Sequence, residues 1–159
     1  MNDVSLPRIG HAPHCKTEID LTGAWRLQSA YMEDIETGEQ FELKMQAGIL
    51  MIHEHRLMAL MVSSGPIDPH SEVERAQAFD AASVYSGRFR LEPQNQMVIT
   101  IDACARQSWL GAELIRGYEF LDDTLVLRTA AERLPRADNR LMGSSLVWKR
   151  EQCEPRAGV

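Results

Sequence analysis

No apolar run in these 159 residues approaches the roughly 20 that a membrane-spanning helix requires. Met1 to Ile9 likewise lacks the apolar core of a secretory signal. Both absences lead to the expectation of a cytoplasmic protein with no membrane partner. Positive charge is also scarce: 17 Lys and Arg stand against 23 Asp and Glu, a formal net charge of -6. Binding to a phosphate backbone draws its affinity from clustered Lys and Arg, so this balance argues against a nucleic-acid partner and leaves solubility as the simpler role of the charge. Cysteine is limited to Cys15, Cys104 and Cys153, an odd number at wide spacing, which suits reduced thiols better than a disulfide framework or a structural zinc site. Cys104 reads as a small core residue. The chain has no internal repeat, no low-complexity tract, no Ser/His/Asp order and no glycine-rich phosphate loop. Neither His53-Glu54-His55 at an expected turn nor His11, His14 and Cys15 on an expected tail completes a ligand set. No metal and no cofactor are therefore expected.

What the chain does have is apolar alternation of period two, in eight short blocks separated by turn-forming residues. They run from Gly23 to about Glu33, Gly48 to His53, Arg56 to Ser63, Tyr85 to Glu92, Gln96 to Arg106, Ala112 to Leu121, Thr124 to Ala131 and Arg140 to Arg150. Pro93-Gln94-Asn95 and Asp122-Asp123 mark tight turns between neighbours. The length fits one domain, so residues 19–151 are read as an all-β domain between an N-terminal tail, 1–18, and a C-terminal tail, 152–159. One helix interrupts the series. Ser71-Glu72-Val73-Glu74 fits a capping box, and the helix is expected to run to about Ala82 as a short lid, with Val73, Ala76 and Phe79 laid on an apolar barrel mouth.

Leu21-Thr22-Gly23-Ala24-Trp25-Arg26-Leu27, Gly48-Ile49-Leu50-Met51-Ile52, Tyr85-Ser86-Gly87-Arg88-Phe89, Trp109-Leu110-Gly111, Asp122 to Thr129 and Leu146-Val147-Trp148 follow one another in an order that resembles the bacterial and fungal lipocalin-like domain family, a branch of the calycin-type barrels. The resemblance covers most of Leu21 to Glu151. It implies an eight-stranded antiparallel up-and-down barrel around a small-molecule cavity, as eight alternating strands also favour. Proteins with similar barrels include carriers as well as cyclases, isomerases and decarboxylases, so the resemblance implies no single reaction. At Ile99-Thr100 the chain departs from the histidine pair that family members often carry.

Strand parity nominates the lumen. In the Ala112–Leu121 block, Leu114, Arg116, Tyr118 and Phe120 share one face, and a slip of one residue would instead bury Glu113 and Glu119. An inward Arg116 needs an acceptor, supplied either by a barrel carboxylate or by a ligand. Arg116-Gly117-Tyr118 is also similar to the carboxylate-binding strand of fatty-acid-binding proteins. In the next block back, Met97, Ile99, Ile101, Ala103 and Ala105 form the apolar parity, which turns Asp102 to solvent; a bulge would bring Asp102 inward beside Arg116 as a base or ion-pair partner. The first strand directs Trp25, Leu27, Ser29 and Tyr31 inward, and the fourth directs Tyr85, Gly87 and Phe89. Trp109 sits where it gates the mouth, while Trp25 and Trp148 plug the closed end with Lys149 or Arg150 stacked on an indole.

Arg116, Tyr118, Tyr85 and Asp102 are thus the catalytic candidates, and Trp109, Phe89, Tyr31, Ser29, Leu27, Leu114 and Met61 the ligand-binding ones. The expected partner is a small hydrophobic molecule. Two readings stay open. The first is a cofactor-independent isomerase or cyclase acting on a hydrophobic natural-product or aromatic metabolite, with Arg116, Tyr118 or Tyr85 polarising a carbonyl. The second is a non-catalytic carrier of a ligand with a carboxylate or carbonyl head. The second and third strands are apolar on both faces, so a homodimer partner or the N-terminal tail is expected to cover the outer one.

Overall fold

The computed structural model describes residues 20–65 and 68–152. All but Gln152 of the two expected tails, with His11, His14, Cys15 and Cys153, lies outside the described residues. Ten strands and one α-helix follow in the order β1 (Gly23–Asp34), β2 (Gln40–Glu42), β3 (Met45–His53), β4 (Arg56–Ser63), α1 (Glu72–Asp80), β5 (Ala82–Glu92), β6 (Gln96–Cys104), β7 (Glu113–Leu121), β8 (Thr124–Thr129), β9 (Glu132–Leu134) and β10 (Arg140–Arg150). Eight of them, in the order β1-β3-β4-β5-β6-β7-β8-β10, pair antiparallel, and β10 returns to β1 to close the barrel. The short β2 and β9, absent from the sequence reading, attach to β1 and β10 respectively.

The hairpins β3–β4, β5–β6 and β7–β8 gather at one end. Their turns hold Glu54, Gln94, Asn95 and Asp122 at positive φ, a conformation that Asn and Asp tolerate best. The same end is plugged by aromatic rings. Trp25 and Trp148 are buried, Phe120 meets Trp25 edge-on at 5.9 Å, and the Arg150 guanidinium lies 4.4 Å from the centroid of Trp25. Arg150 is fixed there by donating to the carbonyls of Asp20 and Thr22. The Trp25 indole N–H donates to Leu21 O at 3.0 Å, whereas the buried Trp148 Nε1 has no partner among the described residues. At the opposite end, the buried Asp34 accepts from the amides of Glu36 and Thr37 and faces Arg140 at 3.3 Å, which pins the end of β1 to the start of β10.

Two bulges re-aim the lumen. Leu27 pairs with Trp148 but Ser29 with Val147, so Gln28 is extra on β1. Past this point the parity reverses: Ala30 is buried and Met32 reaches the interior, while Ser29 and Tyr31, expected to line the lumen, turn outward. The bend coincides with Gly48, where a Cβ would stand 2.5 Å from Leu27 Cβ. In β6, Ser86 pairs with Ala103 but Gly87 with Ile101, which makes Asp102 itself the bulged residue. Cys104, rather than Ala103, then packs on the core. Gly87 permits this close approach, since a Cβ there would lie 2.3 Å from the Thr100 carbonyl oxygen.

The helix starts as expected. Ser71 Oγ accepts from the Glu74 amide, the Glu74 carboxylate accepts from the Ser71 amide, and the capping box is complete. It ends earlier, at Asp80, and its apolar stripe does not lie on the mouth: Val73 is 67% and Phe79 56% exposed, and no helix residue is buried. A nine-residue helix with two acidic residues in its first turn is held by its cap rather than by packing. Among the described residues no helix is long and apolar enough to cross a membrane.

Candidate functional site

The β7–β8 ladder begins only at Arg116 opposite Thr129, so Glu113, Leu114 and Ile115 have no register partner on that side. Beyond Thr129 the chain leaves β7 and forms β9 against β10. A cavity of about 450 Å³ opens in the resulting slot. One wall holds Trp109, Leu114 and Arg116, and the other Thr129, Met142 and Ser144, with Met32 on β1 beside them. Ile115 and Glu113 belong to the outward parity yet also line it. A cavity touched by both faces of one strand passes around that strand's free edge, so this one opens through the barrel wall as well as toward the mouth.

Arg116 is half-buried on the inward parity, as the sequence predicts. The carboxylates of its own strand point outward and are taken: Glu113 binds Arg90 at 2.9 Å and Glu119 binds Arg128 at 2.7 Å. Among the described residues no carboxylate lies within 4.0 Å of the Arg116 guanidinium, which donates from Nη1 to the Ile115 carbonyl at 3.0 Å and also faces the Tyr85 hydroxyl. Of the two acceptors considered for it, the barrel carboxylate is therefore not found. Next to Arg116, behind the lining of the cavity rather than part of it, is Tyr85, 5% exposed, with its ring edge-on to Trp109 at 6.0 Å. Burial pushes the Tyr85 phenol above its ordinary pKa, and the neighbouring Arg116 offsets this only in part. Tyr85 therefore keeps its proton at neutral pH, which leaves its O–H available to donate.

Asp102 does not join this group. Its carboxylate faces outward and is bound by both terminal nitrogens of Arg56, at 3.0 and 2.6 Å. That bidentate hydrogen bond, with the charge of Arg56, holds it below the usual carboxylate range. The bulge foreseen as the way to bring Asp102 inward does occur. Because Asp102 is the looped-out residue, the bulge leaves it outside and reverses the parity beyond it.

The other candidates divide. Trp109 and Leu114 stand on the cavity wall, and the Arg106 guanidinium sits 5.5 Å from the Trp109 ring. Tyr118 points inward one step deeper and is packed in the core. Phe89 is buried toward the plugged end, 6.5 Å from His55, and Leu27 and Met61 pack against the same core. Of the lining residues only Trp109, Leu114 and Arg116 were foreseen; among the others are Met32, Thr129, Glu132, Met142 and Ser144. Thr129 shares the inward face of β8 with Leu125 and Leu127, and Ser144 that of β10 with Leu146 and Trp148; no chemistry in the sequence sets either hydroxyl apart. Among the described residues no group of three or more His, Cys, Asp or Glu is arranged to hold a metal ion.

The model of a family described as a lipocalin-like domain matches residues 44–151 of the chain. No curated protein matches it.

Proposed function

The chain belongs to the lipocalin-like domain family, and from that premise we propose that its barrel binds a flat hydrophobic molecule by an anionic or carbonyl head group seated on Arg116 and Tyr85. The observation that carries this reading is the half-buried Arg116 guanidinium, which has no carboxylate partner among the described residues and stands on a cavity wall beside a protonated phenol. A partly buried guanidinium without a carboxylate partner gains charge-assisted hydrogen bonds from an oxygen anion. Trp109, Leu114, Met32 and Met142 supply apolar wall for the body of the ligand.

The probe pair 1-anilinonaphthalene-8-sulfonate and N-phenyl-1-naphthylamine shares one ring system and differs by the sulfonate. The wild type is expected to prefer the sulfonate, and Arg116→Met to remove that preference. Equal affinity of both probes for the wild type would overturn the reading.

Tyr85 also favours a second reading, a cofactor-independent isomerase or cyclase. A phenol kept protonated beside a guanidinium is the donor pair that stabilises a developing enolate. With Asp102 outside, the carboxylate available for proton transfer is Glu132 on the far rim, which has no ion-pair partner among the described residues. A turned-over ligand whose rearrangement stops in Glu132→Gln, with binding retained, would establish this reading.

The odd, widely spaced cysteines support a cytoplasmic setting. The exposed block Ile49, Met51, Met58 and Leu60, paired across β3 and β4, supports a homodimer. Sedimentation of the wild type against Leu60→Lys tests the dimer, which is expected to dissociate in the variant.

A further inference from the structure

We infer that the same cavity carries a second oxygen-recognising subsite, formed by Thr129 and Ser144, and that its ligands are aromatic acids bearing an additional hydroxyl or keto oxygen. The inference rests on the Arg116 head-group reading above. Arg116, Thr129 and Ser144 occupy adjacent positions on three successive strands, since Arg116 pairs with Thr129 and the Thr129 and Ser144 hydroxyls lie 3.1 Å apart. Strands are spaced about 4.8 Å apart, so this polar row extends roughly 10 Å across the wall. Elsewhere the wall combines the apolar Met32, Leu114 and Met142 with the carboxylates of Glu113 and Glu132, which accept hydrogen bonds but donate none.

A count of hydrogens shows that the row is incomplete. Thr129 Oγ1 accepts the Ser144 backbone N–H at 2.9 Å, and the two hydroxyls share one hydrogen bond in either direction. If Ser144 donates, the Thr129 proton is unspent; if Thr129 donates, the Ser144 proton is unspent. Among the described residues neither hydroxyl has another partner, so one O–H donor remains at the half-buried cavity wall in both arrangements. A purely structural Thr–Ser pair has no use for that donor, whereas a ligand oxygen does.

The test compares 2-naphthoates carrying a hydroxyl with those carrying a methyl at the same ring position, on the full-length wild type by calorimetric titration. The two substituents are nearly isosteric, and an apolar wall binds the methyl compound several-fold more tightly at every position. The subsite predicts one position at which the hydroxyl compound binds about fivefold more tightly. Each single variant, Thr129→Val or Ser144→Ala, leaves one hydroxyl proton unspent and keeps a hydroxyl gain, while the double variant, its fold checked by thermal denaturation, loses it at every position. A methyl preference at every position, or a hydroxyl gain that survives the double variant, would overturn the inference and leave the head-group reading standing. Unchanged binding of unsubstituted 2-naphthoate by Arg116→Met would instead overturn the head-group reading.

Discussion

Arg116→Met should empty the site of its anion preference without weakening the protein. The wild-type guanidinium is half-buried, donates one hydrogen bond to its own strand and has no carboxylate partner among the described residues. The guanidinium is only partly shielded from water, so replacing it by an apolar side chain of similar length should change stability by less than about 1 kcal/mol. In a domain of this size that corresponds to a melting temperature moved by no more than about 3 °C. Binding should change more. A charge-assisted hydrogen bond contributes about 1.5–3 kcal/mol, so the affinity for 1-anilinonaphthalene-8-sulfonate should fall by roughly 10- to 100-fold. N-phenyl-1-naphthylamine should bind as before or slightly better. Differential scanning fluorimetry and fluorescence titration on the same preparations read both quantities. A melting temperature lowered by more than about 3 °C, together with unchanged sulfonate affinity, would show that Arg116 holds the barrel together and does not receive a ligand.

Three other outcomes follow from the geometry. Gly87→Ala drives a Cβ against the Thr100 carbonyl, a backbone atom that cannot swing aside, so the variant should lose about 2 kcal/mol of stability in chemical denaturation; an unchanged midpoint would mean that the β5–β6 bulge relaxes freely. Burial alone would raise the pKa of Asp34, but the amides of Thr37 and Glu36 and the charge of Arg140 outweigh it and hold the carboxyl low. Its contribution is therefore full above the ordinary aspartate range and lost as pH falls through the lowered folded value, so Asp34→Asn should be less stable than wild type at pH 7 and converge with it in acid. A disulfide between Ile115→Cys and Ala130→Cys, which would meet if the β7–β8 ladder ran one step further, should close the slot; sulfonate exchange measured by stopped flow should slow in the oxidised form and recover on reduction.

The barrel itself is largely legible in the sequence. All eight wall strands were placed, and Arg116 and Tyr118 fell on the predicted face, because in β7 the alternative register would bury Glu113 and Glu119. Parity failed where that contrast faded. Around Gln28 the choice lay between Ser29 and Ala30, and around Asp102 between Ala103 and Cys104, pairs so alike in size and polarity that either face could be the inner one. A bulge at each place cost the reading Ser29 and Tyr31 and kept Asp102 outside. The lid was misread for a different reason. Three-residue spacing shows that Val73, Ala76 and Phe79 share a stripe, not that a surface is waiting to cover it. The slot beside Arg116 depends on where the β7–β8 ladder stops, which alternation along one strand does not encode.

The central claim is that a ligand's acidic head meets Arg116 and Tyr85 inside the wall. The structure of the protein in complex with 6-bromo-2-naphthoate tests it most directly, because the bromine fixes the orientation of the rings. The carboxylate is expected against the Arg116 guanidinium and the Tyr85 hydroxyl, with the rings between Trp109 and Leu114. A carboxylate bound to an exterior arginine, or a bromine at the Arg116 end of the cavity, would contradict it.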